Sequence, residues 1–342
     1  MGYGLSGRVF HAPLIAATPG LEVTSIVTTD PRRAAQARKD FPEADVLSAR
    51  AFMHEPEGYD LVVVATATSS HVDLATQVLD AGTAVVVEKP LAPTASCGRP
   101  LAELARDRGV LLTVFHNRRW DSDFLTLRRI LESGELGTVD RFESRFEKWR
   151  PEANPSAWRE SEAAENGGGV LLDLGVHLVD QARILFGPAR SVYAEVYSRR
   201  GGADDEVFVD IGHASGVRSH LSAGALFGAP GPRMRVLGTK GAYVVEPLDG
   251  QEDALRAGKR PDDPSFGEEP KEKWGRLVRG DAAETVPSER GRWTSFYAGV
   301  SAALAGAGQP PVDPEDALAA LQILDAARES SRKNSVVMLD AG

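Results

Sequence analysis

The sequence predicts a doubly wound, Rossmann-type α/β half followed by an α+β half with a large, open, mostly antiparallel sheet. Three observations carry this. A glycine-rich turn opens the chain at 2–7. Short apolar runs then alternate with helix-like stretches through the first third. After about Trp120 the pattern changes to longer runs joined by Gly-rich turns such as Gly201-Gly202 and Gly238-Thr239-Lys240-Gly241.

In chain order, Gly2-Tyr3-Gly4-Leu5-Ser6-Gly7 fits G-x-G-x-x-G and leads into a helix-like segment. Such a turn brings backbone N–H groups against a pyrophosphate. Apolar or β-branched runs at 21–28, 60–66, 83–87 and 110–115 read as strands buried on both faces. The stretches 31–40, 70–81 and 94–108 read as crossover helices. Asp30-Pro31 is an N-cap with proline at the first helical position. The strand that a doubly wound sheet places before its glycine turn is missing from the sequence as read from Met1. The expectation is a start set too late, with weakened cofactor binding. In the second half a helix is expected at 121–133, with strands at 139–148, 190–198, 206–213, 217–226, 233–237 and 242–246. Residues 249–280, charged and rich in Pro and Gly, read as a surface excursion, before helices at 294–306 and 314–333. The expected domains are 1–118, for the dinucleotide, and 119–342, for substrate and self-association.

Composition narrows the function. A chain of 342 residues is too long for one ordinary core, and 42% hydrophobic with 26% charged residues is globular. Lys+Arg 39 against Asp+Glu 49 gives −10, which speaks against nucleic acid and anionic lipid as partners. No apolar run approaches the roughly 20 residues of a membrane span, and no secretory signal is read at the start. The single cysteine, Cys97, rules out an internal disulfide and fits a reducing cytoplasm.

Acid–base chemistry needs a group to move a proton and another to polarise an oxygen. Lys89 follows an apolar strand, at the carboxyl end where such sheets bind ligands. Asp173 and His177 are four apart and share one face of a helix, with Asp180 a turn further on. Asp173, His177 and Asp180 are ligand types, but without H-E-x-x-H spacing no metal is expected. For the cofactor, the second strand ends at Thr28-Thr29-Asp30. Asp30 is the one carboxylate there and is also placed to cap a helix. Thr29 carries no charge, and Arg32 and Arg33 suit a 2′-phosphate, which favours NADP over NAD. The histidines His11, His54, His71, His116, His213 and His220 are given no catalytic part.

At Glu88-Lys89-Pro90 the chain resembles the Gfo/Idh/MocA family of nicotinamide-dependent sugar and polyol oxidoreductases. The glycine turn, Ala65-Thr66 through His71, and Asp173-Leu174-Gly175-Val176-His177 extend the resemblance along nearly the whole chain. Within the family it is nearest to the NADP-dependent scyllo-inositol dehydrogenase branch. It shares the runs 7–13, 115–121 and Gly250-Gln251-Glu252-Asp253-Ala254-Leu255-Arg256-Ala257-Gly258, the last a subgroup marker without evident chemistry. It departs from that branch at Thr29-Asp30, where a Ser-Arg pair is usual. The resemblance implies Lys89, Asp173 and His177 as the catalytic group, also touching substrate. It implies a cofactor side lined by Ala65, Thr66, Ala67, His71 and Glu88. Asn117 and Arg118 are expected at the crevice mouth, with Arg118 on substrate hydroxyls, and Trp158 and Arg159 over the cofactor. The expected protein is a cytoplasmic homodimer or homotetramer converting a cyclic polyol or sugar hydroxyl to its ketone. The alternatives are another sugar or carbonyl substrate, or a dinucleotide sensor without turnover.

Overall fold

The computed structural model of the chain describes residues 1–53 and 56–339; His54, set aside above, lies outside them. Ser6–His11 wind as a wide π-helical turn that runs into α1 (Ala12–Ala16). There follow β1 (Ser25–Val27), α2 (Pro31–Asp40), β2 (Asp45–Leu47), α3 (Ala49–Phe52), β3 (Leu61–Val64), α4 (His71–Asp80), β4 (Ala84–Val87), α5 (Ala95–Arg108) and β5 (Leu112–Val114). Strands β3, β4 and β5 make a parallel sheet in register, and β4 is buried along its whole length, as an unbroken Ala-Val-Val-Val run requires. Strands β1 and β2 pair in parallel as a separate piece. The strand expected before the glycine turn has no counterpart among the described residues. Met1 and Gly2 bridge the two pieces instead. The Met1 amine donates to the Val63 carbonyl at 2.5 Å, the Ala65 N–H donates to the Met1 carbonyl at 2.8 Å, and the Gly2 N–H donates to the Val27 carbonyl at 2.9 Å. Beside them, between β1 and β3, is a cavity of about 100 Å³ lined by Val23, Val27, Tyr59 and Val62 among others.

The second half comprises α6 (Ser122–Ser133), β6 (Val139–Glu147), α7 (Trp158–Ser161), α8 (Val176–Phe186), β7 (Ala189–Tyr197), β8 (Glu206–His213), β9 (Arg218–Gly224), β10 (Met234–Gly238), β11 (Gly241–Val245), α9 (Gln251–Arg256), β12 (Arg276–Arg279), β13 (Ala282–Thr285), α10 (Thr294–Leu304), α11 (Pro314–Lys333) and β14 (Val337–Met338). Its strands form one sheet in the order β13-β12-β11-β10-β6-β9-β8-β7-β14, antiparallel except for the parallel pair β6–β9. Helices α8 and α11 pack on this sheet, α11 along β7 and α8 on β6 and β9. The alternating burial of β8 leaves Phe208 half-buried on the other face, its ring 5.9 Å from His220. Helix α11 also packs against α5 and β5, which ties the two halves together.

The stretch 249–280 is not the plain surface excursion its composition suggests. It holds α9, and Asp249 and Gln251 within it are 4% and 0% exposed. Polar residues go inside here because partners wait for them: the Ser122 N–H donates to Asp249 at 2.7 Å and the Trp293 N–H donates to Gln251 at 2.8 Å. Among the described residues no helix is long and apolar enough to cross a membrane.

Candidate active site

Three segments meet where β4 ends. Strand β4 carries the chain out of the core to Glu88, Lys89 and Pro90. The side chain of Lys89 is 12% exposed, and its Nζ donates to Asp173 twice, to the backbone carbonyl at 2.7 Å and to Oδ1 at 2.8 Å. Asp173 lies in the widened turn Leu171–Gly175 that leads into α8, and His177 is one residue inside that helix. Arg159, from α7, donates through Nε to the same Asp173 Oδ1 at 2.9 Å. Burial pushes the Asp173 carboxyl up, but the Lys89 and Arg159 cations outweigh it and hold it well below the usual carboxylate range. His177 is 5% exposed. Its burial, with the charges of Lys89 and Arg118, drives its pKa well below that of an ordinary histidine, so the ring is neutral at neutral pH. His177 lines the cleft, and its buried Nδ1 meets no hydrogen-bond partner among the described residues.

Glu88 ties this corner to the glycine turn. The Ser6 hydroxyl donates to Oε1, His11 Nε2 lies 3.2 Å from the same oxygen, and the Lys89 backbone N–H donates to Oε2 at 2.8 Å. Burial pushes the Glu88 pKa up, but the His11 hydrogen bond and charge, the Lys89 charge and the Ser6 hydroxyl bring it from 4.5 down to about 2. A depressed carboxylate stabilises the fold above its unfolded pKa and loses that contribution as pH falls through the folded one. In urea titrations Glu88→Gln is therefore expected to lie about 3 kcal/mol below the parent at pH 7. The gap should close as pH falls from 4.5 toward 2. A gap that stays constant over that window would contradict the linkage.

The open cleft above these residues, of about 630 Å³, brings most of the expected groups together. Gly2, Gly4, Leu5, Ser6, Thr28, Thr29 and Arg33 line one end. Ala65, Thr66, Ala67, His71, Glu88, Lys89, Asn117, Arg118, Trp158, Arg159, Asp173 and His177 line the rest. Tyr3, Gly7 and Asp30 are not on its wall. The Tyr3 hydroxyl turns back to Asp40 at 2.9 Å. Asp30 caps α2, accepting from the backbone N–H groups of Arg32 and Arg33 at 2.8 and 3.2 Å. Gly7 acts through the space it leaves, since a Cβ there would overlap the Gly2 carbonyl. Asp180 is also apart: Arg119 grips it at 2.9 and 2.6 Å inside the protein. Arg159 meets Asp173 and its own neighbour Trp158, whose ring lies 4.3 Å from the guanidinium. Sequence reasoning did not single out Phe146, Lys148 and Leu248, and it quoted Glu252 and Arg256 only within a subgroup marker without evident chemistry; all five line the same cleft. Phe146 and Lys148 are two apart at the end of β6, and Glu252 and Arg256 are an i,i+4 pair. Nothing in their spacing pointed at a cleft.

A parallel sheet with a glycine turn at its carboxyl edge, opening on a cleft that holds Lys89, Asp173 and His177, defines a dinucleotide-binding oxidoreductase. The chain belongs to the Gfo/Idh/MocA family. Residues 1–116 match the oxidoreductase family's NAD-binding Rossmann fold, and residues 124–244 match the GFO/IDH/MocA C-terminal domain. It is 35% identical over 348 residues to scyllo-inositol 2-dehydrogenase (NADP(+)) IolW of Bacillus subtilis, covering 99% of this chain and 95% of that protein. It is 28% identical over 255 residues to an inositol 2-dehydrogenase of Rhizobium meliloti, covering 72% of this chain and 74% of that one. Among solved structures, yvaA of Bacillus subtilis superposes with a TM-score of 0.92 at 34% identity, covering 99% of this chain and 97% of the other.

Proposed function

We propose that this oxidoreductase is an NADP-preferring dehydrogenase that interconverts one hydroxyl of a cyclic polyol or sugar, scyllo-inositol foremost, with the corresponding ketone. Residues 1–118 would hold the dinucleotide and 119–342 most of the substrate. The observation that carries this reading is the contact of Lys89 Nζ with Asp173 at 2.7 and 2.8 Å in a cleft shared with a neutral His177.

The residues present fit a dinucleotide. Gly2 has φ +90, and a Cβ on it would lie 2.5 Å from the Ala65 carbonyl oxygen, so the turn exists only with glycine there. A nicotinamide, when bound, supplies the hydride acceptor or donor. The chain does the rest. The first turn after Gly4 offers backbone N–H groups to a pyrophosphate. Trp158 gives an aromatic face beside the cleft. Lys89 presents an ammonium to the reacting oxygen and stabilises negative charge on it. Neutral His177 accepts the hydroxyl proton at Nε2 in oxidation and returns it in reduction. Asp173, kept ionised by Lys89 and Arg159, holds the Lys89 ammonium in place. Reduction of NADP by scyllo-inositol, followed by nicotinamide absorbance against myo-inositol and a sugar panel, tests the reading; silence with every polyol while the dinucleotide binds would overturn it.

The preference for NADP rests on Arg33. The carboxylate of Asp30 is occupied by the helix N-terminus, while the Arg33 guanidinium lies on the cleft wall, 3.7 Å from where a Gly4 Cβ would be. Arg33→Ala is expected to raise KM for NADP about tenfold and leave KM for NAD unchanged. Equal effects on both would rule out a contact with the 2′-phosphate.

A further inference from the structure

The cleft wall formed by Leu248, Glu252 and Arg256 lies outside the stretches matched to the family, which cover 1–116 and 124–244. Arg118 falls in the gap between those stretches. The glycine turn, Lys89, Asp173 and His177 all fall within them. The chemistry that the family shares and this wall therefore come from different parts of the sequence.

The wall is rigidly founded. Gln251 is 0% exposed. Its Nε2 donates to the Trp120 carbonyl at 3.1 Å, and its Oε1 accepts the Trp293 N–H at 2.8 Å. Asp249 accepts the Ser122 N–H at 2.7 Å and the Gln251 N–H at 2.8 Å. Glu252, next in α9, is therefore placed by backbone rather than by a free choice of rotamer. Its Oε1 takes Arg256 through Nε at 3.0 Å and Nη2 at 2.8 Å, and its Oε2 takes Arg118 Nη2 at 2.8 Å. A carboxylate has about four lone-pair sites, so Oε2 keeps one acceptor position. The Glu252 side chain is 24% exposed, so that position is not sealed in. A donor lies near it. Lys148 lines the same cleft within electrostatic range of both Glu252 and Asp173. A free acceptor position near a lysine ammonium matches neighbouring hydroxyls, each of which both gives and takes a hydrogen bond.

We propose that Glu252, with Arg118 and Lys148 beside it, is the specificity-determining group that reads substrate hydroxyls remote from the reacting carbon. It selects a ring with contiguous hydroxyls over the same ring lacking one. This rests on the polyol reading above. A site built to bond a hydroxyl rejects the analogue without it, because its own polar groups are then left unpaired.

The test compares the parent, Glu252→Gln and Lys148→Met on scyllo-inositol and its monodeoxy analogues, with KM for the dinucleotide and the thermal midpoint measured alongside. Glu252→Gln is expected to raise KM for the polyol about tenfold. It should also narrow the preference over the deoxy analogues by a similar factor, with KM for the dinucleotide unchanged. Lys148→Met should narrow the same preference without lowering the midpoint. If Glu252→Gln instead lowers kcat on every substrate alike, with a fallen midpoint and unchanged ratios, the Arg118–Glu252 pair is only structural and the proposal is overturned. Unchanged selectivity in both variants, with an active parent, also overturns it and leaves the polyol reading standing. A parent that binds the dinucleotide but turns over no polyol removes both.

Discussion

Lys89→Met is expected to lower kcat for polyol oxidation by about 10²- to 10⁴-fold. Methionine matches the lysine stem in length and keeps the packing of a side chain that is 12% exposed, so the fold should persist. What disappears is the ammonium that donates to Asp173 at 2.7 and 2.8 Å and that the proposed mechanism sets against the reacting oxygen. Asp173 keeps its ion pair with Arg159. Lys89→Arg is the informative control. It keeps the charge but replaces a compact three-donor head with a planar fork, so a large loss here too would mean that position matters as well as charge. Steady-state rates at saturating dinucleotide, with circular dichroism to check the fold, decide the matter. A fall in kcat of less than tenfold would take Lys89 out of the chemistry.

Gly7→Ala is the second large effect. A Cβ at Gly7 would overlap the Gly2 carbonyl oxygen, which is backbone and cannot swing aside. Gly2 in turn is held by the Val27 carbonyl at 2.9 Å. The turn must open to admit even a methyl group, at a cost of about 3 kcal/mol and a fall in thermal midpoint of roughly 4 °C. The opened turn no longer aims its N–H groups at one point, so dinucleotide affinity should fall further than stability does. Titration of protein fluorescence with NADPH, beside a melting curve, reads both. Unchanged affinity in Gly7→Ala would show that the turn does not hold the pyrophosphate.

The elements that could be read from sequence are those whose environment is one-sided. The continuous apolar run of β4 is matched by a strand buried on both faces, while that of β3 alternates half-buried and buried residues. Pro31 after a capping Asp30 marks the start of α2 to the residue. Strand β2 was not seen, because three half-exposed residues carry no period. The wall at 249–256 was misjudged for the opposite reason: its charged composition reads as solvated, but Asp249 and Gln251 are polar groups with buried partners. At the site, Asp173, His177 and Lys89 were singled out through the family motifs that carry them; the spacing of the first two and the place of Lys89 after β4 were compatible with a site but equally with a helix cap, a core histidine and a surface lysine. Glu252 was not, because its i,i+4 pair with Arg256 looks like any exposed helix pair until Arg118 arrives from more than a hundred residues away. Arg118 both lines the cleft and pairs with Asp121 and Glu252.

The central claim is that Lys89, Asp173 and His177 act on a substrate C–H bond whose hydrogen passes to the cofactor. Its most direct test is label transfer. The protein is incubated with NADP and scyllo-inositol deuterated at its ring carbons, and the reduced cofactor is weighed by mass spectrometry. The account predicts one deuterium in the nicotinamide ring, and none formed over the same interval with His177→Ala. Reduced cofactor without label, or none from the parent protein with any polyol offered, would contradict it.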